Sequence, residues 1–112
     1  EFKLEIANTP RKQFDGLGFR DSMPRDMGML FIFPSEDYHS IWMRGMRFPL
    51  DILWISTDKT IVKIQHRTPT EPATDDGDLT IYSANAKVRY IIEFNAGTAM
   101  ENNINEGDDV EF

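Results

Sequence analysis

Phe2, Leu4 and Ile6 alternate with Lys3 and Glu5, a period of two that predicts a half-buried strand. Thr9-Pro10 places an N-cap ahead of a proline at the first helical position. A short helix is therefore expected over Arg11–Phe19, with Phe14 and Leu17 on one face, kept brief by Gly16 and Gly18. Met29-Leu30-Phe31-Ile32-Phe33 is a continuous apolar run between Gly28 and Pro34, too short for a typical helix, and reads as a strand buried on both faces. Ser40–Met43 predicts another strand, followed by a turn over Arg44–Arg47. Leu50–Ser56 and Thr60–His66 flank Thr57-Asp58-Lys59 and predict a hairpin. Arg67–Asp78 is rich in Pro, Thr and Asp and predicts a long loop, with a short strand over Leu79–Tyr82 after it. Val88–Phe94 predicts a strand. Thr98-Ala99-Met100-Glu101 has capping-box spacing and predicts a helix to about Asn103. Gly107-Asp108 turns the chain into a closing strand, Val110–Phe112. The expected fold is mainly β (α+β): a small, partly open β-barrel of about seven short strands with two short helices.

The chain has 112 residues, which fits one domain over 1–112. With 40% apolar and 12% aromatic residues it has the composition of a soluble globular protein with a core. A net charge of −7 argues against sequence-independent nucleic-acid binding and against anchoring on anionic lipid. No apolar run approaches the roughly 20 residues that span a membrane. The lack of cysteine excludes disulfides, thiolate metal sites and a thiol nucleophile. The chain starts at Glu1, and two readings stand: a removed export signal, hence a periplasmic or extracellular protein, or an engineered boundary.

Gly16-Leu17 with Arg20, then Gly28-Met29-Leu30-Phe31 with Phe33, Trp42-Met43, Pro49-Leu50-Asp51-Ile52, Ile92-Glu93, Ala96-Gly97 and Gly107-Asp108 follow one another in a specific order and spacing. Together they resemble the small bacterial and archaeal proteins called domain of unknown function 192, from about Leu4 to Val110. The resemblance implies a compact, mainly β domain without an established activity. The chain departs from that family's pattern at Gly18, where a bulky residue is usual, and at Arg44-Gly45-Met46.

Four constellations carry candidate chemistry. Arg20, Trp42 and Asp51 occupy the motif positions, with Met43 beside Trp42. As a pocket they would hold a small polar or carbohydrate-like ligand: Trp42 stacks, while Arg20 and Asp51 orient it through charge-assisted hydrogen bonds. The competing reading makes Arg20 and Asp51 a structural ion pair and Trp42 core. Second, Met23, Met27, Met29, Met43 and Met46 cluster around His39, a donor set suited to Cu(I), although Met is also a common core filler. Third, Asp51 with Glu93 would form the carboxylate pair of a weak hydrolase, while His66 reads as solvated and Glu93 alone as a strand end. Fourth, Asp75-Asp76-Gly77-Asp78 lacks the closing acid of a calcium loop and reads as a solvated turn. The expectation is a non-enzymatic binding module with no catalytic residues, metal or cofactor. The alternative from another class is a structural or protein-partner-binding domain, with sheet edges or the Arg67–Asp78 loop making the contact.

Overall fold

The computed structural model describes residues 1–72 and 75–112. The chain runs β1 (Lys3–Ala7), α1 (Pro10–Asp15), β2 (Met27–Asp37), β3 (Ser40–Ile41), β4 (Leu50–Ile55), β5 (Ile61–Thr68), a 3-10 turn (Asp76–Asp78), β6 (Tyr82–Ser83), β7 (Val88–Asn95) and α2 (Thr98–Glu101). Five strands form one sheet in the order β1-β2-β7-β4-β5, and β3 pairs with β6 in a separate ribbon. β1 lies parallel to β2, and the other pairings are antiparallel.

The class and the count of strands and helices match the expectation, and the strands lie in two sheets, with no closed barrel among the described residues. β1 and β5 stand at opposite edges of the sheet with no ladder between them. β3 and β6 are two residues long and pair with each other.

Local chemistry explains most element ends. Thr9 Oγ1 accepts the Lys12 N–H at 3.2 Å, and Pro10 opens α1 without wasting a donor. Gly16, at φ +49°, ends α1 well short of Phe19 and returns its N–H to the Lys12 carbonyl at 2.9 Å. β2 continues through Pro34 because its register against β7 breaks after Ile32, where a missing donor does no harm. The β4–β5 hairpin turns over Thr57–Lys59 as expected, with the Ser56 N–H on the Thr60 carbonyl at 3.0 Å. The closing strand is reduced to one bridge, Thr60 to Asp109. The expected Arg67–Asp78 loop begins later, since β5 extends to Thr68, and its Ala73 and Thr74 lie outside the described residues.

Thr98, expected to open a capping box, does not cap α2. Gly97, at φ +92°, is the N-cap of α2, and Thr98 is already helical. The Thr98 hydroxyl is enclosed without a hydrogen-bond partner.

Apolar side chains pack on both faces of the sheet. One cluster gathers Met29, Phe31, Leu50, Ile52, Trp54 and Ile91 with Leu17 and Met43 from the covering segments. The other gathers Leu30, Leu53, Ile61, Ile92 and Phe94 with Ala99 of α2. All six residues of β4 are buried, which is why it reads as an unbroken apolar run interrupted only by Asp51. No helix among the described residues is long and apolar enough to cross a membrane.

Candidate functional site

The four residues expected to line one pocket are dispersed. Arg20 forms a two-pronged ion pair with Glu5, at 2.5 and 3.1 Å, not with Asp51. That hydrogen bond holds the Glu5 carboxyl below the usual carboxylate range and raises the Arg20 guanidinium. The pair edges a shallow groove with Lys12, Gly16 and Met29. Met43 is fully buried in the core.

Asp51 is also fully buried, and both its oxygens are engaged. Oδ1 accepts the Arg67 N–H at 2.8 Å and Oδ2 accepts the Ala99 N–H at 2.9 Å. Asp51 thus ties β5 to the first turn of α2. It supplies, from a strand 48 residues earlier, the N-terminal acceptor that Thr98 was expected to provide.

The Asp51–Glu93 pair does not exist. Asp51 stands opposite Phe94 in the β4–β7 ladder, whereas Glu93 stands opposite Ile52. Neighbouring positions on a strand face opposite ways, so the two carboxyls project from opposite faces of the sheet.

The methionines are core. Met23, Met29, Met43 and Met46 are buried in one cluster, and Met27 packs against it. His39 stacks on Phe33, ring centres 3.7 Å apart, with Nε2 3.0 Å from the Ser35 carbonyl oxygen. His66 is exposed. Asp75 caps its own 3-10 turn by accepting the Gly77 N–H at 3.2 Å. Among the described residues no three His, Asp or Glu side chains are grouped to hold a metal.

Trp42 leads to a different site. It lines a cavity of about 70 Å³ between the end of α1, the β3 segment and the sheet. Phe14, Gly16, Gly18, Phe31, Ser40, Arg44 and Glu93 line it with Trp42. Phe14 meets Trp42 edge-on at 5.8 Å. The Arg44 guanidinium lies 4.6 Å over the Phe14 ring and pairs with Asp76 at 3.3 Å.

Gly16 keeps this space open, and Gly18 sets the wall beside it. A Cβ on Gly16 would stand 3.5 Å from the Phe31 ring and 4.0 Å from Glu93 Oε1, inside the cavity. A Cβ on Gly18 would stand 2.9 Å from the Arg44 carbonyl, so glycine there lets two backbones touch. Phe19 donates its N–H to the Gly45 carbonyl at 2.8 Å, and its ring fills the space where a Gly45 side chain would go. The two departures from the family pattern, Gly18 and Arg44-Gly45-Met46, thus lie against each other.

Glu93 is the residue that periodicity missed. It is 3% exposed, on the central strand β7, among Met29, Phe31 and Ile52. Burial pushes its carboxyl up to about 8, and among the described residues no hydrogen bond or opposite charge offsets the shift. The group is a neutral carboxylic acid at pH 7, able to donate and to accept. The available signal was an acid inside the apolar run Ile91-Ile92-Glu93-Phe94.

Comparison with known proteins places this architecture. No curated protein matches the chain. A candidate transcription regulator from Sinorhizobium meliloti, solved as a crystal structure, is 33% identical with a TM-score of 0.87, covering 98% of this chain and 81% of that one. A crystal structure of a protein of unknown function from Novosphingobium aromaticivorans is 31% identical with a TM-score of 0.89, covering 99% of this chain and 75% of that one. The family described as Uncharacterized ACR, domain of unknown function 192, matches residues 1–112, and the chain belongs to it.

Proposed function

We propose that the chain is a non-enzymatic binding domain that takes a small polar ligand at the Glu93 cavity. The carrying observation is the Glu93 carboxyl, on a residue 3% exposed and with no partner among the described residues, lining a cavity with Trp42 and Phe14. An unpaired buried acid destabilises a fold, and such groups concentrate where a ligand supplies the missing partner. The aromatic rim offers flat apolar surface beside that polar point, the combination that holds small polar molecules, sugars included. A space of about 70 Å³ admits one projecting group of the ligand, with the remainder lying over the rim.

A hydrolase reading finds no support. The acid it relied on, Asp51, is consumed by two backbone N–H groups on the other face. The other carboxylate in the cavity wall, Asp15, is exposed and paired with Arg11 at 3.3 Å. The Sinorhizobium protein's description does not decide for a nucleic-acid role here, since a net charge of −7 argues against sequence-independent phosphate binding.

The test is a two-dimensional amide NMR screen of monosaccharides, polyols, amino acids and small amines. Binding should shift the amides of Gly16, Gly18, Trp42 and Glu93 together. Trp42→Ala and Glu93→Gln should each remove the response while keeping a folded spectrum. If no compound in the panel moves those four amides, the proposal falls and a partner-binding role takes its place.

A further inference from the structure

Resting on the reading of this cavity as a ligand site, we infer that the group it accepts is a primary alkylammonium, bound as its cation against the ionised Glu93. Glu93 is the unpaired ionisable group of the cavity: Asp15 has Arg11 and Arg44 has Asp76. A neutral hydroxyl would leave Glu93 protonated and gain one ordinary hydrogen bond. An ammonium gains a charge-assisted bond, roughly twice as strong, in surroundings of low polarity. An anion would meet a carboxyl that cannot ionise beside it.

The space agrees. About 70 Å³ is too small for a sugar ring and sufficient for a CH2–NH3+ end. Phe14 and Trp42 then flank the alkyl stem, and aromatic faces also attract a cation. The charged groups facing the cavity are Asp15 at the end of α1, Arg44 from the segment after β3, and Glu93 from β7. Arg44 does not compete for Glu93, since its guanidinium is held over Phe14 and against Asp76 at the rim.

Binding in this form releases a proton. The neutral carboxyl of Glu93 and the ammonium of the ligand become a carboxylate–ammonium pair, and the displaced proton passes to solvent. At pH 7 close to one proton leaves per ligand. Affinity then rises about tenfold per pH unit up to roughly pH 8 and levels off above it.

The test uses n-butylamine, with butan-1-ol as the neutral match, by calorimetry in two buffers of different ionisation heat and by NMR at pH 6, 7 and 8. Butane-1,4-diamine and Nα-acetyl-lysine methylamide then separate a free polyamine from a lysine side chain as the source. The expected result is amine binding at the Gly16–Trp42–Glu93 amides, about one proton released, and at least a tenfold loss in Glu93→Gln. Phe14→Ala, an exposed position that leaves the core intact, should weaken the amine several-fold.

Amine binding without proton release, or unchanged in Glu93→Gln, overturns the inference. Sugars or polyols that bind at these amides while amines do not also overturn it, and leave the cavity as a ligand site. If nothing binds there, the inference and the function on which it rests fall together.

Discussion

Glu93→Gln removes a titration while keeping the shape of the side chain. In the folded protein the Glu93 carboxyl lies near 8, against an ordinary value of 4.5 that the unfolded chain should show. Between those values the folded state holds a proton that the unfolded state has released. The folded pKa is the raised one, so the stability tied to this proton is fully present below pH 4.5 and is lost as pH rises through 8. Each pH unit in that window is worth about 1.4 kcal/mol. Across the whole window the loss approaches about 5 kcal/mol, or roughly half that if the cavity admits water to the carboxylate. Glutamine does not ionise and escapes the loss. The variant and the parent should therefore have similar stabilities at pH 4, and the variant should lead by about 2–5 kcal/mol at pH 9. Urea denaturation at half-unit pH intervals measures this, because the difference between the two proteins cancels every other titrating group. In melting temperature the lead corresponds to roughly 10–20 °C for a domain of this size. Parallel pH profiles would refute the reasoning, since they would mean that Glu93 titrates alike in the folded and unfolded chains.

Three further outcomes follow from the same contacts. Asp51→Ala takes the acceptor from the Arg67 N–H and strands the buried Ala99 N–H, and should destabilise the protein by about 2–5 kcal/mol in urea, with Asp51→Asn milder because one acceptor survives. Thr98→Val replaces an enclosed hydroxyl that has no partner by a methyl group and should raise stability by about 1 kcal/mol; a loss of that size would show that the hydroxyl is satisfied. Arg20→Ala should reduce stability by no more than about 1 kcal/mol, since the Glu5 pair is more than a third exposed. Its effect should be largest above the ordinary glutamate range and fade as acid protonates Glu5, whose folded-state pKa is lowered.

What could be read along the chain was what depends on neighbours along the chain. Thr9-Pro10 caps and opens α1 through a contact three residues long, and the β4–β5 hairpin turns over residues that name themselves. The failures are non-local. Thr98-Ala99-Met100-Glu101 carries capping-box spacing, yet the helix is served by Asp51 and by the left-handed backbone of Gly97. Strand number was legible, but edge pairing was not: nothing in Lys3–Ala7 tells that its one partner is β2, in parallel, or that β5 ends the sheet on the far side. The site suffered most. Trp42, Met43 and Asp51 all fall near family motifs, but a motif marks positions under constraint without saying whether packing or binding constrains them. Of the four residues expected to bind, one keeps a place in the cavity, Trp42, and the charge beside it comes from β7.

Asp51 and Glu93 show why burial alone does not separate the two kinds of constraint. Both are acids on adjacent central strands, one register step apart, and each is almost completely removed from solvent. Asp51 has two backbone donors fitted to its two oxygens, so its removal harms the fold and its geometry leaves nothing over for a ligand. Glu93 has no donor fitted to it among the described residues, on the face where Gly16 and an aromatic pair line an open space. A glutamine, or a methionine like its neighbour Met29, would satisfy packing there without the pH-dependent loss of stability. Retaining an ionisable group at a position where ionisation weakens the fold makes sense when something outside the chain completes the pair. The experiment on Glu93→Gln therefore bears on function as well as stability: a variant that folds more firmly at pH 9 and no longer responds to ligand would identify the same carboxyl as the fold's weak point and as the binding group.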